Sequence, residues 1–143
     1  KLSALQNVRK IRLLYCYPDV ITEQLIDEVA TNDKILKYMD IPLQHASGAV
    51  LSRMHRPGDR DSLTKLIAHI RKAVPGIVLR TTVMTGFPGE TEEDFTELCE
   101  FVQEAKFEHL GCFAYSAEEG TKAAVMYSPR SISLVRSHSF SLA

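Results

Sequence analysis

The residues able to do chemistry gather where strand-like runs end. A series of β-forming residues, 77–84, runs into Gly86-Phe87-Pro88-Gly89-Glu90, and Thr91-Glu92-Glu93-Asp94 follows at once as a helix start. Gly86 and Gly89 admit backbone angles closed to other residues, so this turn can bring amides close to a ligand, and it equally suits a plain tight connection. Arg80 and Thr82 alternate along the strand and share a face. There a guanidinium can fork onto a ligand carboxylate or simply be neutralised by a neighbouring acid. Glu90 stands just before the N-cap residue Thr91, where a carboxylate can touch a ligand or hold helix amides.

At the end of an earlier run, 38–43, Gln44 and His45 lie in a loop. Glutamine gives and takes hydrogen bonds at once, as a ribose hydroxyl or an adenine edge requires. His45 has acid–base capacity near neutrality, although a single loop histidine more commonly serves as a hydrogen-bonding residue. Cys16, Cys99 and Cys112 are too far apart for a Cys-x-x-Cys pair and odd in number for a disulfide framework. They read as core filler in a reducing compartment, so neither a metal site nor a catalytic residue is assigned.

These side chains need strands to carry them and helices to space the strands. Buried strands are expected at 11–15, 38–43, 77–84 and 109–115. Between them, Thr22 caps a helix whose Leu25, Ile26 and Val29 share a face and onto whose Ile26 the preceding Ile21 can staple; Thr31-Asn32-Asp33 ends it. Ser47 is expected to cap a short helix with Val50, Leu51 and Met54 on one side, closed by the basic run Arg53 to Arg56 and Pro57-Gly58. Leu63, Leu66, Ile67 and Ile70 follow the i, i+3, i+4, i+7 rule up to Pro75-Gly76, and Phe95, Leu98, Cys99 and Val102 repeat that spacing after three acids that suit the helix dipole. Strands separated by such helices call for right-handed crossovers and a parallel sheet. Ligands then sit at the C-terminal strand ends, in a barrel or an open sheet alike. Four βα units are half of an eight-fold barrel, and the chain opens on Lys1, so it is expected to be a piece of something larger.

Composition narrows the function classes. With 45% hydrophobic and 24% charged residues the 143-residue chain suits one globular domain, and 18 acids against 17 bases give no electrostatic argument for nucleic acid or membrane. No apolar run approaches the roughly 20 residues of a membrane span, and no secretory leader is evident. Residues 1–127 form the expected domain. From 128 on, six serines in sixteen residues and no acid suggest a disordered or non-native end.

Four ordered motifs, YCYPD (15–19), DIPLQHAS (40–47), RTTVMTGFPGETEEDF (80–95) and FAYSAEEGT (113–121), resemble the bacterial methylthiotransferases of the radical S-adenosylmethionine class over residues 8–125. PLQHAS and AYSAEEGT are similar to the RimO-type branch, which modifies an aspartate β-carbon of a small-subunit ribosomal protein. The tRNA-adenosine branch is the alternative enzyme, and a non-catalytic half-barrel interaction module the alternative of another class. The resemblance implies an α/β fold, a partial (β/α) barrel with parallel strands forming the second half of a radical SAM TIM-like barrel. It implies S-adenosylmethionine across the strand ends and two 4Fe-4S clusters, one held by a CxxxCxxC loop, with reductive cleavage of S-adenosylmethionine to a 5′-deoxyadenosyl radical. It implies a cytoplasmic enzyme whose partners are a small-subunit ribosomal protein and the missing N-terminal half of the enzyme, with no membrane; contact with RNA is possible but not indicated. On this resemblance Gln44 and Arg80 face the cofactor, Arg80 taking the methionyl carboxylate with help from Thr82. Met84 and the loop of Gly86, Phe87, Gly89 and Glu90 lie beside adenine, and Tyr115 and Ser116 end the next strand at the same rim. No CxxxCxxC occurs in this chain, so on its own it is expected to be inactive.

Overall fold

A computed structural model describes residues 1–126; the serine-rich segment from 128 lies outside the described residues. Its strands β1 (Ile11–Leu13), β2 (Ile35–Asp40), β3 (Val78–Thr85) and β4 (His109–Ala114) form one sheet in the order β1-β2-β3-β4, every neighbour parallel. Between and after them come α1 (Glu23–Thr31), α2 (Gly48–Arg53), α3 (Arg60–Ala73), α4 (Glu92–Ala105) and α5 (Lys122–Met126). Parallel neighbours in chain order require crossovers of one hand, which stack α1, α3 and α4 on one face of the sheet. Ile26 and Val29 of α1, Leu63, Ile67 and Ile70 of α3, and Leu98 and Phe101 of α4 accordingly share a buried cluster with Met39, Leu79 and Val83 of the strands.

These three helices leave the opposite face of the sheet open. Arg12, Tyr38, Val78, Arg80, His109 and Gly111 line a concavity of about 940 Å³ there, and the outer edges of β1 and β4 are unpaired among the described residues. This is the parallel half-barrel expected from the motifs, with the concavity in the place of a barrel lumen.

The caps explain where the helices begin. Thr22 Oγ1 accepts the Leu25 N–H at 3.2 Å at the head of α1. Thr91 and Asp94 form a reciprocal capping box on α4, Thr91 Oγ1 accepting from Asp94 N–H at 3.2 Å and Asp94 Oδ2 from Thr91 N–H at 3.0 Å. Asp59 and Ser62 do the same for α3. Ser47 departs from expectation: it stands at the N-cap of α2, but its side chain caps nothing there and donates to Asp94 Oδ1 across the structure.

The strands near the site also differ from their expected bounds. β1 stops at Leu13 because Tyr15 turns left-handed (φ 57°), its N–H directed at Asp40 Oδ2, 3.4 Å away. β2 begins at Ile35, three residues earlier than expected, because Asn32 Oδ1 accepts the Lys34 N–H at 3.0 Å and reverses the chain tightly. It ends at Asp40 because Pro42 cannot donate to the ladder. The segment 41–44 still runs beside β3. Ile41 N–H donates to Arg80 O at 2.8 Å and Gln44 N–H to Thr82 O at 2.8 Å. Between those rungs the buried hydroxyl of Thr81 donates to Ile41 O at 2.8 Å and faces Leu43 N–H at 3.4 Å, so a side chain stands in for the interrupted ladder.

Candidate cofactor-binding site at the strand ends

Alternation along β3 sorts its residues. Leu79, Thr81, Val83 and Thr85 are buried against the helices, while Arg80, Thr82 and Met84 project into the concave side. Arg80 Nε lies 4.0 Å from Asp40 Oδ1, and the Arg80 side chain is 49% exposed against 6% for Asp40. The guanidinium is thus loosely countered by an acid and still open to the concavity.

Gln44 sits in the left-handed region (φ 71°), which a non-glycine residue occupies only when its surroundings hold it there. Its backbone is gripped from both sides, N–H to Thr82 O and O from Met84 N–H at 2.7 Å. Gln44, Met84 and Phe87 line one pocket of about 330 Å³ at the C-terminal rim, together with Arg53, Met54, His55 and Arg56 from the end of α2 and Lys122, Ala123 and Met126 of α5. Arg80 lines the larger concavity instead. Thr82 lies on the same sheet face, two residues from each of Arg80 and Met84. The structure therefore brings Gln44, Met84 and Phe87 together and spaces Arg80 below them.

The turn at 86–90 is built on two left-handed glycines, Gly86 (φ 74°) and Gly89 (φ 82°). Phe87 meets Tyr115 edge-on at 5.3 Å, tying the ends of β3 and β4 together, and Ser116 is exposed beyond them. Glu90 is 6% exposed; its Oε2 accepts Phe87 N–H at 3.0 Å and its Oε1 lies 3.4 Å from His45 Nε2. Its carboxylate is committed inside the wall of the site. A Cβ on Gly89 would stand 3.2 Å from Arg53 Nε, in a backbone conformation L side chains rarely adopt. Gly89→Ala should therefore lower stability by about 1 kcal/mol and displace the Arg53 side chain from the pocket. Urea denaturation and the chemical shift of Arg53 Nε–H would check both effects.

Arg53 and Arg56 are the functional candidates that the sequence did not mark. Their only local signal was the basic run at the end of a short helix, which reads as complementing the helix dipole. In the fold Arg56 donates to Pro42 O at 3.1 Å and covers the Tyr17 ring at 4.8 Å. His45 is the hydrogen-bonding residue that the bland reading favoured: fully buried, its Nδ1 accepts Ser47 N–H at 3.0 Å.

The cysteines do not converge. Burial pushes the thiols of Cys16, Cys99 and Cys112 up, with nearby Asp40 adding to the effect at Cys16. Among the described residues no group of three histidine, cysteine or acidic side chains could hold a metal ion.

A one-handed parallel half-barrel whose polar residues collect at the C-terminal strand ends defines the class, and residues 1–102 match the Radical SAM superfamily. The chain belongs to that superfamily. Over 126 residues, 88% of its length, it is 53% identical to the ribosomal protein uS12 methylthiotransferase RimO of Clostridium tetani, covering 28% of that protein. To the RimO of Caldanaerobacter subterraneus subsp. tengcongensis it is 52% identical over 126 residues, covering 29% of that protein. The chain spans less than a third of the length of these relatives. Among solved structures, Escherichia coli coproporphyrinogen III oxidase HemN, a radical SAM enzyme, superposes with a TM-score of 0.69 at 18% identity over 90% of this chain and 30% of its own. The methyltransferase TsrM of Kitasatospora setae gives 0.58 at 20% identity over 73% and 20%. These two likenesses speak for the fold.

Proposed function

We propose that this chain is the C-terminal half of the barrel in a radical SAM methylthiotransferase that adds a methylthio group to an aspartate of ribosomal protein uS12. The 53% identity to RimO over 126 residues, 88% of this chain, carries the reading. A ribosomal substrate places the enzyme in the cytoplasm, and among the described residues no helix is long and apolar enough to cross a membrane.

The rim pocket suits S-adenosylmethionine by its donor set. Gln44 offers an amide for ribose or adenine, Met84 and Phe87 an apolar wall, and Arg53 and Arg56 guanidinium groups at that level, while Arg80, in the larger concavity and on one face with Thr82, is the group for the methionyl carboxylate. Bound there, S-adenosylmethionine supplies the methyl and hydrogen-abstracting chemistry of the class. The iron–sulfur clusters find no fit in these residues, since the thiols are separated and raised toward their protonated forms. On this reading a CxxxCxxC loop in the rest of the barrel would hold one cluster and an N-terminal domain the other, both in the N-terminal half of the enzyme that partners this segment.

Mass spectrometry of uS12 and of tRNA from a strain lacking the full gene tests the proposal. Loss of the methylthio mass from uS12 alone is expected; loss from tRNA alone would move the protein to the tRNA-adenosine branch and overturn it.

A further inference from the structure

The chemistry above makes no direct use of two buried ionisable side chains that face one another, His45 (0% exposed) and Glu90 (6%). We propose that His45 and Glu90 are positioning residues, a buried imidazole–carboxylate clamp that fixes the loop after β2 against the turn after β3 and so sets the spacing of Gln44 and Phe87 across the rim pocket. The functional half of this inference rests on that pocket being the S-adenosylmethionine site.

The hydrogen-bond logic fixes the tautomer of a neutral His45. Because His45 Nδ1 accepts the Ser47 N–H at 3.0 Å, the ring proton of a neutral imidazole must sit on Nε2. Nε2 is buried, has no closely aligned hydrogen-bond partner, and faces Glu90 Oε1 at 3.4 Å. A buried ring N–H left without an acceptor would be costly, and Glu90 is the acceptor within reach. The second Glu90 oxygen takes the Phe87 N–H at 3.0 Å. A series of contacts thus runs from the backbone of Ser47 through the ring, across the 3.4 Å approach of Nε2 to Glu90 Oε1, to the carboxylate and the backbone of Phe87.

The pair is placed where the two loops most need it. Gln44, directly before His45, holds a left-handed conformation, and the turn after β3 contains two left-handed glycines with little stiffness of their own. Ser47, whose N–H begins the path, also donates from Oγ to Asp94 Oδ1 at 2.5 Å, a second tie from the loop after β2, here to the first turn of α4. The path ends on the amide of the pocket residue Phe87 and, at its other end, on the amide of Ser47, three residues after the pocket residue Gln44.

Two variants of the whole chain separate the roles. His45→Asn retains an acceptor for Ser47 N–H but is too short to reach Glu90. Glu90→Gln keeps the shape but presents only one acceptor to the two donors. Native-state amide exchange should speed up about tenfold at Phe87 in both variants, the scale of one lost hydrogen bond, with Leu79 and Val83 unchanged. Equal acceleration at all three amides, or none at Phe87, would overturn the clamp. Should a variant fail to fold, the ring ¹⁵N shifts of wild-type His45 decide instead: the Nε2–H tautomer is expected, and the Nδ1–H tautomer refutes it. Calorimetric titration with S-adenosylmethionine forms the functional arm, with affinity expected to fall about tenfold in the variants. Unchanged affinity alongside faster Phe87 exchange would refute the positioning role. If the wild-type chain binds none, the reading of the pocket fails while the exchange pattern still judges the clamp.

Discussion

Leu79→Ala should cost the fold roughly 2–5 kcal/mol and lower the thermal midpoint by on the order of 10 °C. Leu79 is fully buried near the start of β3, within the cluster that joins the sheet to α3 and α4, and its backbone is fixed as well as its side chain. Its N–H donates to Glu108 Oε2 at 2.7 Å and its carbonyl accepts Glu108 N–H at 3.1 Å. With the backbone held this way the strand has little freedom to close over a lost isobutyl group, so the cavity persists and the upper part of the range applies. Phe113→Ala is the matched control on the same sheet. Phe113 is 61% exposed on β4, and its loss should change stability by no more than about 0.5 kcal/mol. Urea denaturation of both variants checks the contrast. A Phe113 effect as large as that of Leu79 would mean that the β4 surface is covered in solution, contrary to the exposure described.

The contrast between those two strands shows how much could be read from the chain. The alternation of Leu79, Thr81 and Val83 with Arg80 and Thr82 announced β3 and its two faces correctly, because period two survives wherever one side of a strand is packed. Helix spacing did the same for α3 and α4, and local caps such as Thr22 and Thr91 act within three residues, so sequence displays them fully. Ser47 has the right type and place for a cap, yet its hydroxyl goes to Asp94, 47 residues away, and nothing local announces that competition. The early start of β2 was hidden for a related reason: Ile35 and Leu36 are adjacent apolar residues next to a turn and give no alternation.

The site divides along the same line. That Gln44 and the glycine turn would stand at the ends of β2 and β3 was legible, since a glycine turn after a strand and an amide after another are local facts. Which residues share one pocket was not, because the register of β2 on β3 and the placing of α2 decide it. Arg53 and Arg56 reach the pocket of Gln44 only through that placing, and Glu90 turns inward to accept the Phe87 N–H beside the buried His45.

Acid should weaken the fold through two carboxylates that the structure holds ionised. At Glu108 burial pushes the carboxyl up, but hydrogen bonds from Arg71 and from the Leu79 N–H together hold it below the ordinary glutamate value. At Asp94 burial again acts upward and is outweighed by hydrogen bonds from Ser47 and Thr91, with Arg53 nearby. A carboxyl whose folded value is depressed gives stability that is complete above its unfolded value, about 4 for these groups, and is lost as pH falls through the lower folded one. The urea midpoint should therefore be flat from about pH 7 to 5 and decline below about pH 4. Arg71→Met separates the Glu108 part. Arg71 donates to Glu108 Oε1 at 2.8 Å and to the carbonyls of Ala105 and Lys106 at 3.1 and 2.6 Å, closing the C-terminal end of α4 onto the start of β4. Because the two side chains are 31% and 37% exposed, solvent screens the ion pair, and most of the expected loss of about 2 kcal/mol at pH 7 comes from the carbonyl contacts. The decline below pH 4 should become shallower in the same variant, since an unpaired Glu108 titrates nearer its unfolded value. A pH profile parallel to that of the wild type would show that Arg71 acts on the helix end alone and leave Asp94 as the source of the acid sensitivity.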